Sequence, residues 1–265
     1  MFTDVIQKPD LVLFYTSEDR SYSKLSQYLN NLLKCFFQPC RTPKNRLDKN
    51  VPIKWHIRLF LGIFIFTQCN IPRPSITPTV PNTAFDKTLL AEINQLRRNP
   101  TLYAHKLQSW LPHYYGKILS LPNQPRITTN EGAQAVKEAI SVLLAQPPLP
   151  PLVLAPGLTK AANLHVLDQG KTGATGHKGK DDSHVWNRAE RFGTWSGEIG
   201  ENIAYGQNDA EGFVLQWLVD DGVPDRGHRV ALLGTQWRYM GAAIGPHPRY
   251  KQMGVLTLAV SYYTF

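Results

Sequence analysis

Gly254-Val-Leu-Thr-Leu-Ala-Val-Ser-Tyr-Tyr263 is the stretch that decides the fold. Val255, Thr257, Ala259 and Ser261 alternate with Leu256, Leu258, Val260 and Tyr262, and a period of two puts the two sets on opposite faces of a strand. Residues 239–245 carry a second strand signal. Upstream of both, the apolar spacing is helical. Asp86 or Thr88 caps a helix through Leu89, Leu90, Ile93 and Leu96, which Asn99-Pro100 interrupts; Tyr103, Leu107 and Trp110 add a turn or two. Residues 131–145 form a helix that Gln146-Pro-Pro-Leu-Pro-Pro151 stops. Pro156-Gly157 opens another through Leu158, Ala161, His165 and Val166, and 210–220 reads as one more. Residues 111–130 read as a loop, and 173–206 as a Gly-rich excursion around short ordered pieces, with a helix near 185–192. Helices first and strands late argue for an α+β fold with an antiparallel sheet, against a doubly wound parallel one. No internal repeat is present.

The bulk numbers restrict the classes of function. The 265 residues carry a formal charge of +9. Residues 1–69 hold ten Lys/Arg against five Asp/Glu, so more than half of the excess lies in the first quarter. No dense basic run interleaved with aromatics is present, which argues against nucleic acid as a partner. Cys35, Cys40 and Cys69 are the three cysteines. From Asn70 onward a disulfide framework is impossible, and a packed core must hold the domain. Cys35-x4-Cys40 has no partner pair with zinc spacing and reads as two unpaired thiols.

The N-terminal region reads as a leader. In residues 54–69, Lys54 and Arg58 precede the apolar run from Leu59 to Phe66, the order of a secretory signal. The run is far shorter than the ~20 apolar residues that span a bilayer. Residues 70–83 are Pro-rich, as in a tether. The expected division is a poorly structured leader at 1–50, a signal peptide or membrane anchor at 51–69, a linker at 70–83 and a folded domain at 84–265. Fifty residues precede the signal-like segment. Either the true start is Val51, with 1–50 untranslated, or 54–69 is a membrane tether after an N-terminal segment. Tyr22 to Phe37 could be an amphipathic helix, and Cys69 is a weak candidate for lipid attachment. Export follows in either case, to a periplasmic, extracellular or membrane-anchored location.

Candidate chemistry lies in glycine-bounded motifs. Gly200-Glu-Asn-Ile-Ala-Tyr-Gly206 sets Glu201 among residues that permit unusual backbone angles. His228 follows the turn at Pro224 and Gly227, and His177 lies in Thr-Gly-His-Lys-Gly. Trp217 and Asp220, three apart, share a helical face. His177, Glu201, Asp220 and His228 are therefore candidates to line one polar cleft, which only folding can assemble. Two imidazoles with nearby carboxylates suit a divalent metal such as zinc, with His177 and His228 as ligands. The same set suits general acid–base work, and each residue alone also fits a loop position satisfied by the backbone. His165 reads as packing and His184 as a solvated loop residue. His105, His113 and His247 show no partner pattern. Ser196 lacks the flanking glycines of a nucleophile elbow.

Gly200-Glu-Asn-Ile203 and Gly227-His-Arg229, with Trp217 between them, resemble the defining motifs of the CAP superfamily, whose domain is also called SCP. The family groups cysteine-rich secretory proteins, antigen 5 and pathogenesis-related proteins. Glu92-x-Asn94-x-x-Arg97 resembles its first helix, and Leu152-Val-Leu154 with Ala161-Ala162 resembles the next. The likeness spans about 84–265 and looks like the bacterial branch, without cysteines. It implies an α-β-α sandwich around a small antiparallel sheet. It also implies a cleft of two histidines and two acids, in which some members bind zinc or another divalent ion. His177, Glu201 and His228 match the family positions. Asp220 stands where the family has a glutamate; one methylene shorter, it is expected to reach the cleft only through water, with Asp221 as the alternative. Two functions follow as expectations. One is an exported binding module whose cleft takes a divalent metal, a polar ligand or a lipid. The other is a metal-assisted hydrolase of peptides or cell-envelope polymers. A purely structural surface domain is a third possibility.

Overall fold

The computed structural model describes residues 13–16 and 83–265. These all lie in one compact unit, 1–22 with 78–265, while the second unit, 23–77, is outside the described residues. In chain order the elements are β1 (Leu13–Thr16), α1 (Thr83–Arg98), α2 (Pro100–Gln108), β2 (Tyr114–Tyr115), β3 (Ile118–Leu119), β4 (Ile127–Thr128), α3 (Ala133–Ala145) and β5 (Val153–Leu154). They continue with α4 (Pro156–Thr172), α5 (Val185–Ala189), β6 (Gly193–Tyr205), α6 (Ala210–Val219), α7 (Gly227–Leu232), β7 (Tyr239–His247) and β8 (Lys251–Thr264).

The main sheet runs β1-β6-β8-β7-β5. β6, β8 and β7 pair antiparallel, and β5 adds a short parallel edge to β7. In β8, Leu256 and Leu258 pack into one core and Val255 and Ala259 into the cores on the other face, as the period of two requires. On the first face lie α1, α3 and α6, with Leu89, Ile93, Leu143, Phe213 and Trp217 buried among them. On the second lies α4, with Leu158, Ala162 and Val166 against Ile199, Ile203 and Val255. Gly241 permits that approach: a Cβ there would come within 2.1 Å of the Thr159 nitrogen. The architecture is an α+β, α-β-α sandwich around a small, mostly antiparallel sheet, with a separate three-stranded sheet β2-β3-β4 at its side.

The Glu92/Asn94/Arg97 pattern builds this sandwich. The Asn94 amide bonds Leu152 in both directions, at 3.0 and 2.7 Å. Arg97, buried, donates to the carbonyls of Pro150, Leu232 and Gly234. Glu92 accepts the Tyr103 hydroxyl. A helix, a loop and the segment after α7 are thus joined through one face of α1.

Three segments differ from the sequence reading. The stretch 111–130 holds the small sheet, and 227–232 is a helix rather than a turn alone. The largest difference is β6, thirteen residues long, in what read as a Gly-rich excursion. Residues 199–205 are buried on both faces, so no polar alternation marks them. Three glycines also dilute the strand signal, and one of them, Gly197 at φ 78°, sits in the bulge between Ser196 and Ile199.

Within the stretch read as a leader, Leu-Phe-Tyr-Thr at 13–16 forms β1, antiparallel to residues 198–201 of β6, in keeping with its β-branched and aromatic content. The stretch Tyr22 to Phe37, the three cysteines, the apolar segment 54–69 and the Pro-rich linker up to residue 82 lie outside the described residues. Among the described residues no helix is long and apolar enough to cross a membrane.

Candidate functional site

The four candidate residues assemble as two imidazole–carboxylate pairs. His177 Nδ1 lies 2.9 Å from Glu201 Oε1, and His228 Nδ1 lies 2.6 Å from Asp220 Oδ1. β6 touches both. Successive residues of a strand face opposite sides, so Glu201 joins the first pair while Asn202 Nδ2 donates to the His228 carbonyl at 3.1 Å. Among the described residues no group of three His, Cys, Asp or Glu side chains is placed to hold a metal ion.

Glu201 is fully buried on the α4 side of the sheet. Arg188, projecting from α5 and also buried, donates to Oε1 at 2.9 Å and Oε2 at 2.7 Å. Burial alone would push this carboxyl up; the Arg188 charge and the His177 hydrogen bond outweigh it and hold the pKa down at about 2. Arg188 also donates to the carbonyls of Ser183 and His177, so one guanidinium fixes both the carboxylate and the backbone of the histidine facing it.

The His177 loop is further clamped from inside. His247 Nε2 donates to the Ala174 carbonyl at 2.9 Å, and His165 Nε2 to the Gly176 carbonyl at 2.9 Å. Gln169 donates to the same Gly176 oxygen, while Tyr205 accepts from the Gly176 nitrogen and donates to Gln169 Oε1 at 2.8 Å. A His165 ring that donates through Nε2 carries its lone pair on Nδ1, which is buried without a partner. Burial is the main cause that lowers the His165 pKa, with Arg188 acting in the same direction and Glu201 opposing.

The second pair is built at a helix end. α6 stops at Val219, and Asp220 caps it in the left-handed region at φ 54°, which turns its carboxylate toward α7. Oδ2 accepts from the backbone nitrogens of His228 at 2.8 Å and Arg229 at 3.3 Å. With Oδ1 on Nδ1–H, the ring is fixed in one tautomer, and its Nε2 is buried without a hydrogen-bond partner. The shorter side chain thus reaches His228 directly rather than through water, because the left-handed cap brings its backbone closer than a continued helix would. Asp221 is no substitute: its carboxylate accepts from the backbone nitrogens of Asn130 and Glu131.

The remaining histidines divide. His165 and His247 are buried and serve the clamp, whereas His184 stacks on Trp186 at 4.6 Å, with its pKa lowered by burial first and then by Arg188 and Lys178. Sequence reasoning missed Arg188, Gln169, Tyr205 and the roles of His165 and His247. One signal was available: Arg188 stands three residues after the apolar Val185 and beside Ala189, so a helix at 185–189 puts a guanidinium on its buried face.

Over residues 90–263 the chain matches the cysteine-rich secretory protein family, CAP. Solved structures similar to it include an extracellular protein containing an SCP domain from Bacillus anthracis str. Ames, at 23% identity over 42% of this chain and 34% of that one, with a TM-score of 0.34. This chain therefore spans about a third of the length of that protein. An outer surface protein from Borrelia burgdorferi is 18% identical over 46% of this chain and 92% of that one, with a TM-score of 0.35. A cysteine-rich secretory protein from Staphylococcus aureus subsp. aureus Mu50 is 16% identical over 53% and 43%, with a TM-score of 0.34. No curated protein matches the chain.

Proposed function

The chain belongs to the cysteine-rich secretory protein family, and on that premise we propose that it is an exported binding domain whose two tethered imidazoles take a divalent ion or a small polar ligand. Export is supported by the signal-like order of residues 54–69 and by the extracellular and outer-surface descriptions of the similar proteins. The observation that carries the binding reading is the buried, unpartnered Nε2 of His228, held in the Nδ1–H tautomer by Asp220. A carboxylate behind an imidazole orients the ring and fixes its tautomer, the usual support of a metal-ligating histidine.

Imidazole donors suit a divalent ion of the zinc type, and His177 and His228 are the ligands proposed for it. Glu201 and Asp220 are buried and engaged by Arg188, by the imidazoles and by backbone nitrogens, so they support the ligands rather than add to them. Two imidazoles alone leave most coordination positions to water or to a bound polar ligand, and an ion held this way would supply Lewis-acid polarisation to that ligand. A lipid is disfavoured by the same residues, since buried charge and orphaned nitrogen do not suit an acyl chain.

Titration of the purified protein with Zn(II) or Co(II), beside His177→Ala and His228→Ala, tests the reading. A tenfold or greater loss of affinity in each variant is expected. Equal binding in all three proteins removes the two histidines as ligands.

A hydrolytic reading rests on the same Nε2, which has the lone pair of a general base. It ranks second because that atom has no hydroxyl or thiol partner among the described residues, as an activated nucleophile would provide. Turnover of peptide or envelope-polymer substrates that disappears in His228→Ala would reverse the ranking.

A further inference from the structure

The connection from α6 to α7, residues 220–226, is unusual in its backbone. Asp220, Gly222 and Arg226 all have positive φ, at 54°, 80° and 52°, and only one of the three is glycine. A left-handed conformation at a non-glycine residue persists only where its surroundings over-determine it. Here they do so through a closed exchange with residues 130–138. The Asp221 carboxylate accepts from the nitrogens of Asn130 and Glu131, while the Glu131 carboxylate accepts from the Gly222 nitrogen at 2.7 Å.

Arg226 is the hub of this exchange. Its Nη1 donates to Glu131 Oε1 at 2.6 Å, to the Asp220 carbonyl at 2.9 Å and to the Val223 carbonyl at 3.1 Å. Its Nη2 donates to Glu131 Oε2 and Glu138 Oε2, and its Nε to Glu138 Oε2. Every nitrogen of the guanidinium is used, and the fork joins α3 to the backbone of the residue that orients His228. Arg226 is also the cap of α7, two residues before His228. Its own backbone therefore sets where the His228 and Arg229 nitrogens point, and both point at Asp220 Oδ2.

We infer that Arg226 is the positioning residue of the second imidazole: it holds the Asp220 carboxylate and the His228 ring in register and thereby fixes the tautomer that leaves Nε2 free for a ligand. Its hydrogen bonds go to Glu131, Glu138 and the Asp220 and Val223 carbonyls, and none to the ring. A lysine cannot replace it, because a single ammonium does not span Glu131 and the Asp220 carbonyl with the planar fork that both require. The bland alternative is an ion-pair cluster that adds stability and no more, since the side chains of Glu131 and Glu138 are 31% and 38% exposed.

Ring 15N shifts of His228 in the full-length protein separate the two. Wild type is expected to show a single Nδ1–H tautomer under alkaline conditions. Arg226→Ala and Arg226→Lys are both expected to show a mixture, with Zn(II) binding about tenfold weaker or worse, the usual loss when a supporting contact behind a ligand is removed. An unchanged His228 spectrum in a variant that merely unfolds more easily overturns the inference. Should Arg226→Ala fail to fold, Arg226→Lys decides, because it retains the charge and the stem. The affinity arm rests on the proposed binding function, whereas the tautomer arm does not. If wild type binds no metal, that function fails, and the 15N spectra still decide for or against Arg226.

Discussion

The two imidazole–carboxylate pairs share a strand and differ in how each carboxylate is held. Glu201 sits in a fully buried ion pair with Arg188, and His177 rides on a loop of no repeating structure. Among the described residues no guanidinium hydrogen-bonds the Asp220 carboxylate, although the Arg229 charge acts on it; its oxygens are taken by one imidazole and two backbone nitrogens at the start of α7. A buried carboxylate can thus be made tolerable by a full countercharge or by backbone dipoles, and the two solutions fail differently. The first is sensitive to loss of a distant side chain. The second is sensitive to the chemistry of the carboxylate itself.

The largest expected effect breaks the first pair. Arg188→Met leaves Glu201 buried without its countercharge, with only the His177 imidazole beside it, a change that typically costs about 3–5 kcal/mol. Chemical denaturation should show a loss of that size, and Arg188→Met combined with Glu201→Leu should recover most of it. A loss below about 1 kcal/mol would mean that the loop opens and hydrates Glu201, and that the pair is not the anchor of the His177 region.

Asp220→Asn comes next, at about 1–3 kcal/mol, the cost of leaving a buried donor unsatisfied. Asparagine offers one acceptor oxygen where the carboxylate offers two. Either His228 Nδ1–H or the two backbone nitrogens must then face an amide NH2. The His228 tautomer should change in this variant while the ring of His177 is undisturbed, as ring 15N spectra would record. A change at both rings would show that the two pairs act as one unit.

How much of this was legible beforehand follows from the same contrast. Glu201 and His177 stand between glycines in compact motifs, His228 follows Gly227, and Asp220 follows Trp217 by a helical step, so residue type and spacing marked them. The period of two in 255–262 was equally plain. β6 was not, because a strand buried on both faces has no polar alternation to detect. Arg188 and Arg226 were missed for another reason. Their acid partners lie thirteen residues away in one case and more than eighty in the other, so no local spacing pairs them, and only the place of Arg188 beside Val185 and Ala189 hints at its burial. The left-handed cap at Asp220, which brings a short acid into direct contact, is a property of backbone geometry.

pH provides a smaller effect, to which His165 and Glu201 of the first region both contribute. The folded pKa of His165 is depressed below the usual 6.5, with burial as the main cause, so the unfolded chain takes up a proton more readily. Stability from this group is complete above about pH 6.5 and falls as pH drops through that value toward the folded pKa. Glu201, at about 2 when folded against 4.5 ordinarily, adds a second loss as pH falls below 4.5 toward 2. Unfolding temperatures followed from pH 8 downward should therefore show an upper slope that is reduced in His165→Gln, which retains a donor for the Gly176 carbonyl, with His184, also depressed, keeping the remainder, and a lower slope that persists. An unchanged upper slope in that variant would mean that some other group takes up the proton.

The smallest expected effect tests whether the His177 loop is held from within or from its surface. Lys178 pairs with Asp182 at 2.7 Å, next to His177 in sequence and four residues apart. Both side chains are mostly exposed, so the pair gains little Coulomb energy against water, is screened by salt and must order two mobile side chains. The internal clamp works under opposite conditions: the carbonyls of Ala174 and Gly176 meet buried donors from His247, His165 and Gln169. A buried donor left without its acceptor costs more than a surface pair contributes. Lys178→Ala should thus change stability by less than about 0.5 kcal/mol and leave the His177 ring spectrum as in wild type, whereas Gln169→Leu should disturb both. A Lys178→Ala loss above about 1 kcal/mol would transfer the ordering of this loop to its surface, and the first imidazole would then be held by salt-sensitive contacts while the second is held by the Arg226 fork.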